Sequence, residues 1–399
     1  MLRSQHQDEL HSIVASLLPG LYSTSSDNNP DGDSSLDRED AKTPPHSAVS
    51  PTQSQHVRTA SNSHARPSIG LSLPPTTNPP SRANPPSPKV WLIFGATGHM
   101  GRSICKAAIE HGDSVCCVGQ ANSDTSVSMA NWYPSCPERY AGLLCDVRIR
   151  ETVEAAIQAC IQAFGRLDIV ANCSGYGVIG PCEDQEEAEI RNQFETNFMG
   201  TLNIIQLTLP YFRQRRWGRY LIFSSTSGAL GVPGLGPYCA TKYAVEGLVE
   251  SMLYEVEQWG IKCTLLEPGH MRRDDVHGSV QSLNLESPGY GSNSSGQAGA
   301  DASSSTKAGD NHLPLFAHFR IARPSPPYQT IDSPANHARR ILQWIGSQQP
   351  TSVSRTAELT WQLAHCQFPP LRLLLGAYAV DSVRDRLKSV MEEIEDWNC

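Results

Sequence analysis

Tyr238 and Lys242 stand four residues apart in the run Tyr238-Cys239-Ala240-Thr241-Lys242. Downstream, Val245, Leu248, Val249, Met252, Leu253 and Val256 recur at helical spacing, so the run opens a helix. Positions four apart on a helix share a face, which points a phenol and an ammonium the same way. A free tyrosine titrates near ~10, and a nearby cation lowers that value by favouring the phenolate. The pair has the makings of a proton donor or acceptor working near neutral pH. Tyr-x-x-x-Lys is also common on helices that do no chemistry, so the assignment depends on what the chain places around it.

A second constellation is Gly95-Ala96-Thr97-Gly98-His99-Met100-Gly101. It follows the apolar run Val90-Trp91-Leu92-Ile93-Phe94 and precedes Ile104, Cys105, Ala108 and Ile109 at helical spacing. Strand, glycines and helix in that order are a stronger signal than glycines alone. They permit a tight turn and let backbone N–H groups approach a pyrophosphate at the helix N-terminus.

The elements that must position these residues alternate. Strands are expected at Val90–Phe94, Ser114–Val118, Gly142–Cys145, Asp168–Asn172, Arg219–Ser224 and Ile261–Leu266, with a seventh at Arg372–Leu375. Helices are expected at Arg150–Phe164, at Glu183–Arg215 with a break near its start, from Tyr238, and at Asp381–Trp397. Such alternation implies parallel strands joined by right-handed crossovers. The expected fold class is α/β: a doubly wound parallel sheet in three layers, α/β/α, binding ligands beyond the carboxyl ends of its strands.

Composition divides the chain of 399 residues. Residues 1–88 are rich in Ser, Pro, Asn, Thr and Asp and read as a disordered tail. Within it, Leu10, Ile13, Val14, Leu17 and Leu18 make a short amphipathic helical pattern, which reads more readily as a marginal helix than as a docking segment. Residues 89–277 form the catalytic core, and 278–330, with its Ser/Gly-rich runs, reads as a flexible insertion in a surface loop. Residues 331–399 complete the same domain, with a smaller insertion at 350–368.

A net charge of −8 and a pI of about 5.9 argue against a nucleic-acid partner. The apolar runs are too short for a membrane span or a signal peptide. Twelve cysteines without metal-ligand spacing read as small buried hydrophobes in a reducing compartment, so the expectations are a cytoplasmic protein and no metal.

Taken in chain order, the fragments join. Gly95 to Gly101, Asp146-Val147, Asn172-Cys173-Ser174-Gly175, Asn197, Ser225, Tyr238 with Lys242, and Pro268-Gly269 form a series that strongly resembles the short-chain dehydrogenase/reductase family. Asn172-Cys173-Ser174-Gly175-Tyr176-Gly177 and Tyr238-Cys239-Ala240-Thr241-Lys242-Tyr243-Ala244-Val245-Glu246-Gly247 are similar to its 17β-hydroxysteroid/retinol-dehydrogenase-like branch. The resemblance spans about 89–277 and resumes at 332–349 and 369–397. It implies a Rossmann-type fold and an NAD(P)-dependent oxidoreductase acting between a carbonyl and a secondary alcohol on a lipophilic small molecule.

By the same resemblance, Tyr238 is the acid/base, and Lys242 lowers its pKa and binds the nicotinamide ribose. Ser225 binds the substrate oxygen, and Asn197 holds a water that links Lys242 to solvent. Fixed donors at an oxygen that gains charge agree with elementary electrostatics. Gly95, Gly98 and Gly101 would line the pyrophosphate, and Asp146 would accept from the adenine amine. Asn172 would sit near the adenosine ribose or brace the fourth strand, and Pro268 and Gly269 belong to the cofactor site. Pairing of two copies is implied through the helices flanking the fifth strand, where Phe198, Leu202, Ile205 and Leu209 offer an apolar face or core positions.

The chain also departs from the family. Its glycines are spaced G-x-x-G-x-x-G, with His99 where the common pattern has its second glycine. The threonine usual after Pro-Gly is missing, and Arg272-Arg273 stand there. The second strand ends Val118-Gly119-Gln120 with no acid, while Arg102 lies just inside the first helix. On the rule that an acid there selects NAD and a nearby arginine accommodates NADP, the expected cofactor is NADP, with NAD the alternative. A rival reading, a non-catalytic NAD(P)-sensing regulatory protein, draws on these departures and on the tail.

Overall fold

Five successive apolar residues are hidden only by a sheet covered on both faces, and Val90–Phe94 (β1) is buried along its whole length. The computed structural model describes residues 71–130, 132–133, 135–272, 315–316, 318–330, 332–337, 340 and 351–397. After β1 come α1 (His99–Glu110), β2 (Ser114–Gln120), α2 (Ser126–Ala130), β3 (Tyr140–Cys145), α3 (Arg150–Phe164), β4 (Ile169–Asn172) and β5 (Gly177–Ile179). The chain continues through α4 (Glu187–Phe194), a π-helical turn Glu195–Met199 and α5 (Gly200–Arg215). Then follow β6 (Gly218–Phe223), α6 (Gly236–Val256), β7 (Ile261–Pro268) and β8 (Met271–Arg272). The last described elements are β9 (Leu315–Phe316), β10 (Phe319–Ile321), β11 (Thr351–Ser352), α7 (Val353–His365), β12 (Arg372–Leu375) and α8 (Ala377–Asp396).

Seven of the described strands form one parallel sheet in the order β12-β7-β6-β4-β1-β2-β3. Strand order reverses between β1 and β4, which makes the gap above their carboxyl ends the place for a ligand. Alternate residues of β1 serve opposite faces. Leu92 and Phe94 join a core with α3, α5 and α6, while Trp91 and Ile93 join one with α1 and α7. The doubly wound, three-layer fold expected from the sequence is the one found, including the seventh strand; the break expected near the start of the long helix falls at Gln185-Glu186, after the short turn Cys182–Asp184, and α4 runs on into α5 through the π-helical turn.

Three boundaries are corrected. Order was expected to begin at Val90, yet Leu73 is buried and its N–H donates to Gln362 Oε1 at 3.1 Å. The backbone at Thr77 and Asn78 accepts from Phe368 and Gln367. The tail therefore ends well before residue 88; residues 1–70, with the Leu10–Leu18 pattern, lie outside the described residues.

The segment 350–368 is no insertion. It holds α7, the crossover that a parallel β7–β12 pair requires. Its Trp361 and His365 join Trp91 at the buried carboxylate of Asp113. Arg219 donates to the carbonyls of Leu363 and Ala364 at its C-terminal end, where a cation is favoured.

The third correction concerns 278–330. Residues 278–314 lie outside the described residues, but β10 pairs in parallel with β5, Phe319 beside Gly177. Arg320 fastens that pairing by reaching Glu189 at 2.7 Å and lying over the Tyr176 ring. Its described end, Phe319–Ile321, is a wall of the protein and not a spacer.

Of the proposed pairing positions on α5 and the turn before it, Ile205 is core, and Phe198 and Leu209 pack against that core. Eight of the eleven described cysteines are buried and none is in a disulfide. No described helix is long and apolar enough to cross a membrane.

Candidate active site

Two turns at the carboxyl ends of β1 and β4 touch, and glycine is what lets them. Gly95 adopts φ +70°, and a Cβ there would come within 2.7 Å of the Ser174 nitrogen. A Cβ on Gly101 would strike Ala96 Cα at 2.7 Å, so the first turn of α1 lies against the loop only because Gly101 has no side chain. Gly98 is looser, its nearest clash being Gly95 O at 3.3 Å. His99 opens α1, and its ring stacks on His318, just before β10, at 6.3 Å between centroids.

Gly95, Gly98 and Gly101 line one end of a cavity of about 670 Å³. Ser225, Tyr238, Lys242, Pro268 and Gly269 line it further along, and Asp146 closes a flank. The sequence thus places nine residues from five separate segments around one space.

The remaining three candidates are placed otherwise. Asn172 is buried behind the wall, its amide donating to Thr201 Oγ1 at 2.9 Å and its carbonyl accepting from Ser174 N at 3.0 Å. Of its two expected roles it takes the brace. Arg102 does not line the cavity; its guanidinium lies 4.8 Å over the Trp132 ring. Asn197, 1 % exposed, occupies the π-helical turn, a distortion frequent at functional sites. It donates to Tyr176 O and Thr241 Oγ1 and accepts from Tyr176 N. Asn197 Oδ1 and Lys242 Nζ converge on Gly175 (φ +148°), where a Cβ would meet them at 2.9 and 3.6 Å.

Tyr238 is 3 % exposed and sits at the start of α6. Burial pushes its phenol above the ordinary value, and a hydrogen bond with Ser225 pulls the other way. Lys242 lies 5.7 Å from the ring centroid and donates to Phe223 O at 3.0 Å. The lowering by Lys242 that the sequence suggested is not seen; burial sets the direction in which the phenol shifts. Burial also brings the Lys242 ammonium down to about 8, with Glu246 one turn on opposing it. Burial pushes the Asp146 carboxyl up, but hydrogen bonds from Arg148 more than offset this and hold it below the usual range.

Two features escaped the sequence. Asp124 folds back to the end of β2, accepting from Gln120 N at 2.7 Å and from Thr97 Oγ1 at 2.8 Å. The acid stands four residues past the strand end, and the turn Ala121-Asn122-Ser123 that returns it is the signal the sequence carries. Phe319 and His318 flank the Tyr238 ring, Phe319 edge-on at 5.2 Å. No local pattern announces them, because the residues between β8 and β9 separate them from the core. Val232, Leu235 and Ile179 complete an apolar wall beside Tyr238, and Met271 and Tyr378 line the same cavity.

A family profile described as short chain dehydrogenase matches residues 89–282. Oxidoreductase BOA17 of Botryotinia fuckeliana is 28% identical over 309 residues, 77% of this chain and 96% of that protein. Retinol dehydrogenase 8 of Homo sapiens is 37% identical over 124 residues, 31% of this chain but only 39% of that protein. Among solved structures, a short-chain dehydrogenase from Streptomyces avermitilis superposes with a TM-score of 0.61 at 27% identity, covering 78% of this chain and 97% of that one.

Proposed function

The chain belongs to the short-chain dehydrogenase/reductase family of NAD(P)-dependent oxidoreductases, and on that premise we propose that it interconverts a carbonyl and a secondary alcohol on a lipophilic small molecule. One observation carries the reading: Tyr238 and Ser225 line the same cavity, walled beside the phenol by Phe319, Leu235, Val232 and Ile179. An apolar wall with a few convergent polar groups suits an apolar substrate whose one oxygen is held by both hydroxyls.

The residues fit a dinucleotide. Gly95 and Gly101 make a cradle that any Cβ would fill, and the N-terminus of α1 above it would hold a pyrophosphate. Asp146 would meet the adenine, and Lys242 the nicotinamide ribose. The bound nicotinamide supplies the hydride. Tyr238 gives its proton to the carbonyl oxygen on reduction and takes one from the alcohol on oxidation. Ser225 holds the same oxygen and stabilises the charge that develops on it. Lys242, anchored on Phe223 O, places a cation on the phenol's side of the site, and Asn197 locks the turn against which that lysine rests.

The cofactor preference we assign is NAD, reversing the expectation from Arg102. That arginine is stacked on Trp132, and the carboxylate at the end of β2 is that of Asp124, which does not itself line the cavity but is bonded to Gln120 and Thr97, which do. A carboxylate there accepts from a ribose 2′-hydroxyl and repels a 2′-phosphate.

The test is a panel of steroids, retinoids, aliphatic ketones and quinones, each offered with NADH and NADPH and followed by nicotinamide absorbance. Turnover should appear with apolar carbonyls. Tyr238→Phe should abolish it while cofactor binding and the fold persist; turnover that survives this change would overturn the mechanism.

A further inference from the structure

The helix α8 leaves the body of the protein soon after it begins. Ala379, in its first turn, is buried, but Leu387 is 60 % exposed, Met391 56 % and Ile394 59 %, with Trp397 just past its end at 79 %. Single exposed apolar residues mean little, but Leu387, Ile394 and Trp397 lie on one stripe, with Met391 at its flank. Val380, Val383, Leu387, Val390, Ile394 and Trp397 follow one another at intervals of 3, 4, 3, 4 and 3 residues. That is the a/d seam of a two-stranded coiled coil, narrower than the face a helix turns to a globular core.

Charge identifies what covers it. Asp381, Arg384, Asp385, Arg386 and Lys388 give the first half a net charge of +1, and Glu392, Glu393, Glu395 and Asp396 give the last turns −4. Acids at a helix C-terminus oppose the macrodipole, so α8 alone ends unfavourably. A parallel copy would set acid against acid. An antiparallel copy sets the acidic end against the Arg384–Lys388 stretch and against the positive end of the facing helix. A helix with a net charge of −3 is also the wrong sign for an anionic lipid surface, which takes Lys/Arg-rich faces.

We propose that α8 pairs antiparallel with α8 of a second copy of this chain. Leu387 then packs against Val390 of the second copy, Val383 against Ile394, and Val380 against Trp397. Arg386 faces Glu393 across the seam; within one chain these two already lie 3.4 Å apart on the same face. The surface differs from α5 and α6, and it lies outside the catalytic machinery.

Sedimentation of the full chain across a concentration series tests this. Leu387→Glu and Ile394→Glu should each halve the mass of the assembly and leave turnover unchanged, since among the described residues this half of α8 lines no part of the cavity. Arg386→Glu alone and Glu393→Arg alone should each fail to associate through α8. An equimolar mixture of the two should associate again, because the antiparallel pairing then sets opposite charges together at both contacts while the pair within each chain stays broken. A mass indifferent to Leu387→Glu and Ile394→Glu would overturn the proposal, as would a mixture that stays apart. Loss of the association only on removing residues 1–70 would give the face to that segment, and overturn it too.

Discussion

The ring of Phe319 stands edge-on to that of Tyr238, 5.2 Å between centroids and 74° between planes. Gly177 makes the approach possible, since a Cβ there would come within 2.7 Å of the Tyr238 ring and 2.9 Å of Phe319. Phe319→Ala removes an aromatic wall without touching the phenol. KM for apolar carbonyls should rise about three- to tenfold, the scale of an aromatic contact worth about 0.5–1.5 kcal/mol. Steady-state kinetics should show kcat changing much less, and an unchanged KM would place the substrate elsewhere.

Asp124 gives a test of cofactor choice. Asp124→Asn keeps an acceptor for Gln120 N and Thr97 but drops the charge. The ratio of kcat/KM with NADP to that with NAD should rise about tenfold or more, as removal of one like-charge contact allows. A wild-type enzyme that already prefers NADP would refute the assignment.

The pH dependence of the free enzyme should carry a mark of Lys242. Its ammonium, brought down to about 8 by burial, is present below that pH and lost above it. Cofactor binding and kcat/KM should therefore fall as pH rises through about 8, and the limb should vanish in Lys242→Arg, whose group stays charged. Fluorescence titration of the cofactor against pH reads it without turnover.

Stability should respond to Glu267. Burial first, then neighbouring Glu246, raise its carboxyl to about 7, with Arg372 opposing. Neither oxygen is hydrogen-bonded, although Arg372 Nε lies 3.4 Å away. The unfolded group titrates near 4.5, so between that pH and about 7 the folded chain binds the extra proton. Stability then falls as pH rises across that window and stays lowered above it. Glu267→Gln should flatten this dependence and stabilise the protein at about pH 8 by about 1–3 kcal/mol, measured by denaturant unfolding.

The chain between β8 and β9 separates spacer from wall. Deleting residues 286–311 should change KM by less than about threefold, because closure entropy varies only slowly with loop length. Extending the deletion through residue 321 removes β9 and β10, with Phe319, and should raise KM sharply while lowering kcat. Equal kinetics for the two deletions would show that β10 does not bound the site.

Much of the fold and the reacting end of the site were legible in the chain. The run Val90–Phe94, the glycines after it, and the helical spacing beyond Tyr238 are local signals, since burial on a sheet or a helix face repeats every two or 3.6 residues. The order of Ser225, Tyr238 and Lys242 along the chain carried the chemistry for the same reason: each is tied to an element end that periodicity locates. The segment 350–368 was misread because α7 earns its place only by crossing between β7 and β12, a relationship no window of sequence contains.

By itself, then, the sequence determined the doubly wound sheet and the glycine turn, and it nominated Tyr238 and Lys242 for the proposed proton transfer. Only the tertiary structure decided that Asp124 and not Arg102 folds back on the end of β2, that β10 returns to place Phe319 on Tyr238, and that burial sets the direction in which the phenol shifts. The physical reason is one of range. Backbone preference and amphipathic period act over a few residues, whereas desolvation and contact depend on chains brought together from far apart, and these set both the titration of a buried group and the shape of the cavity around it.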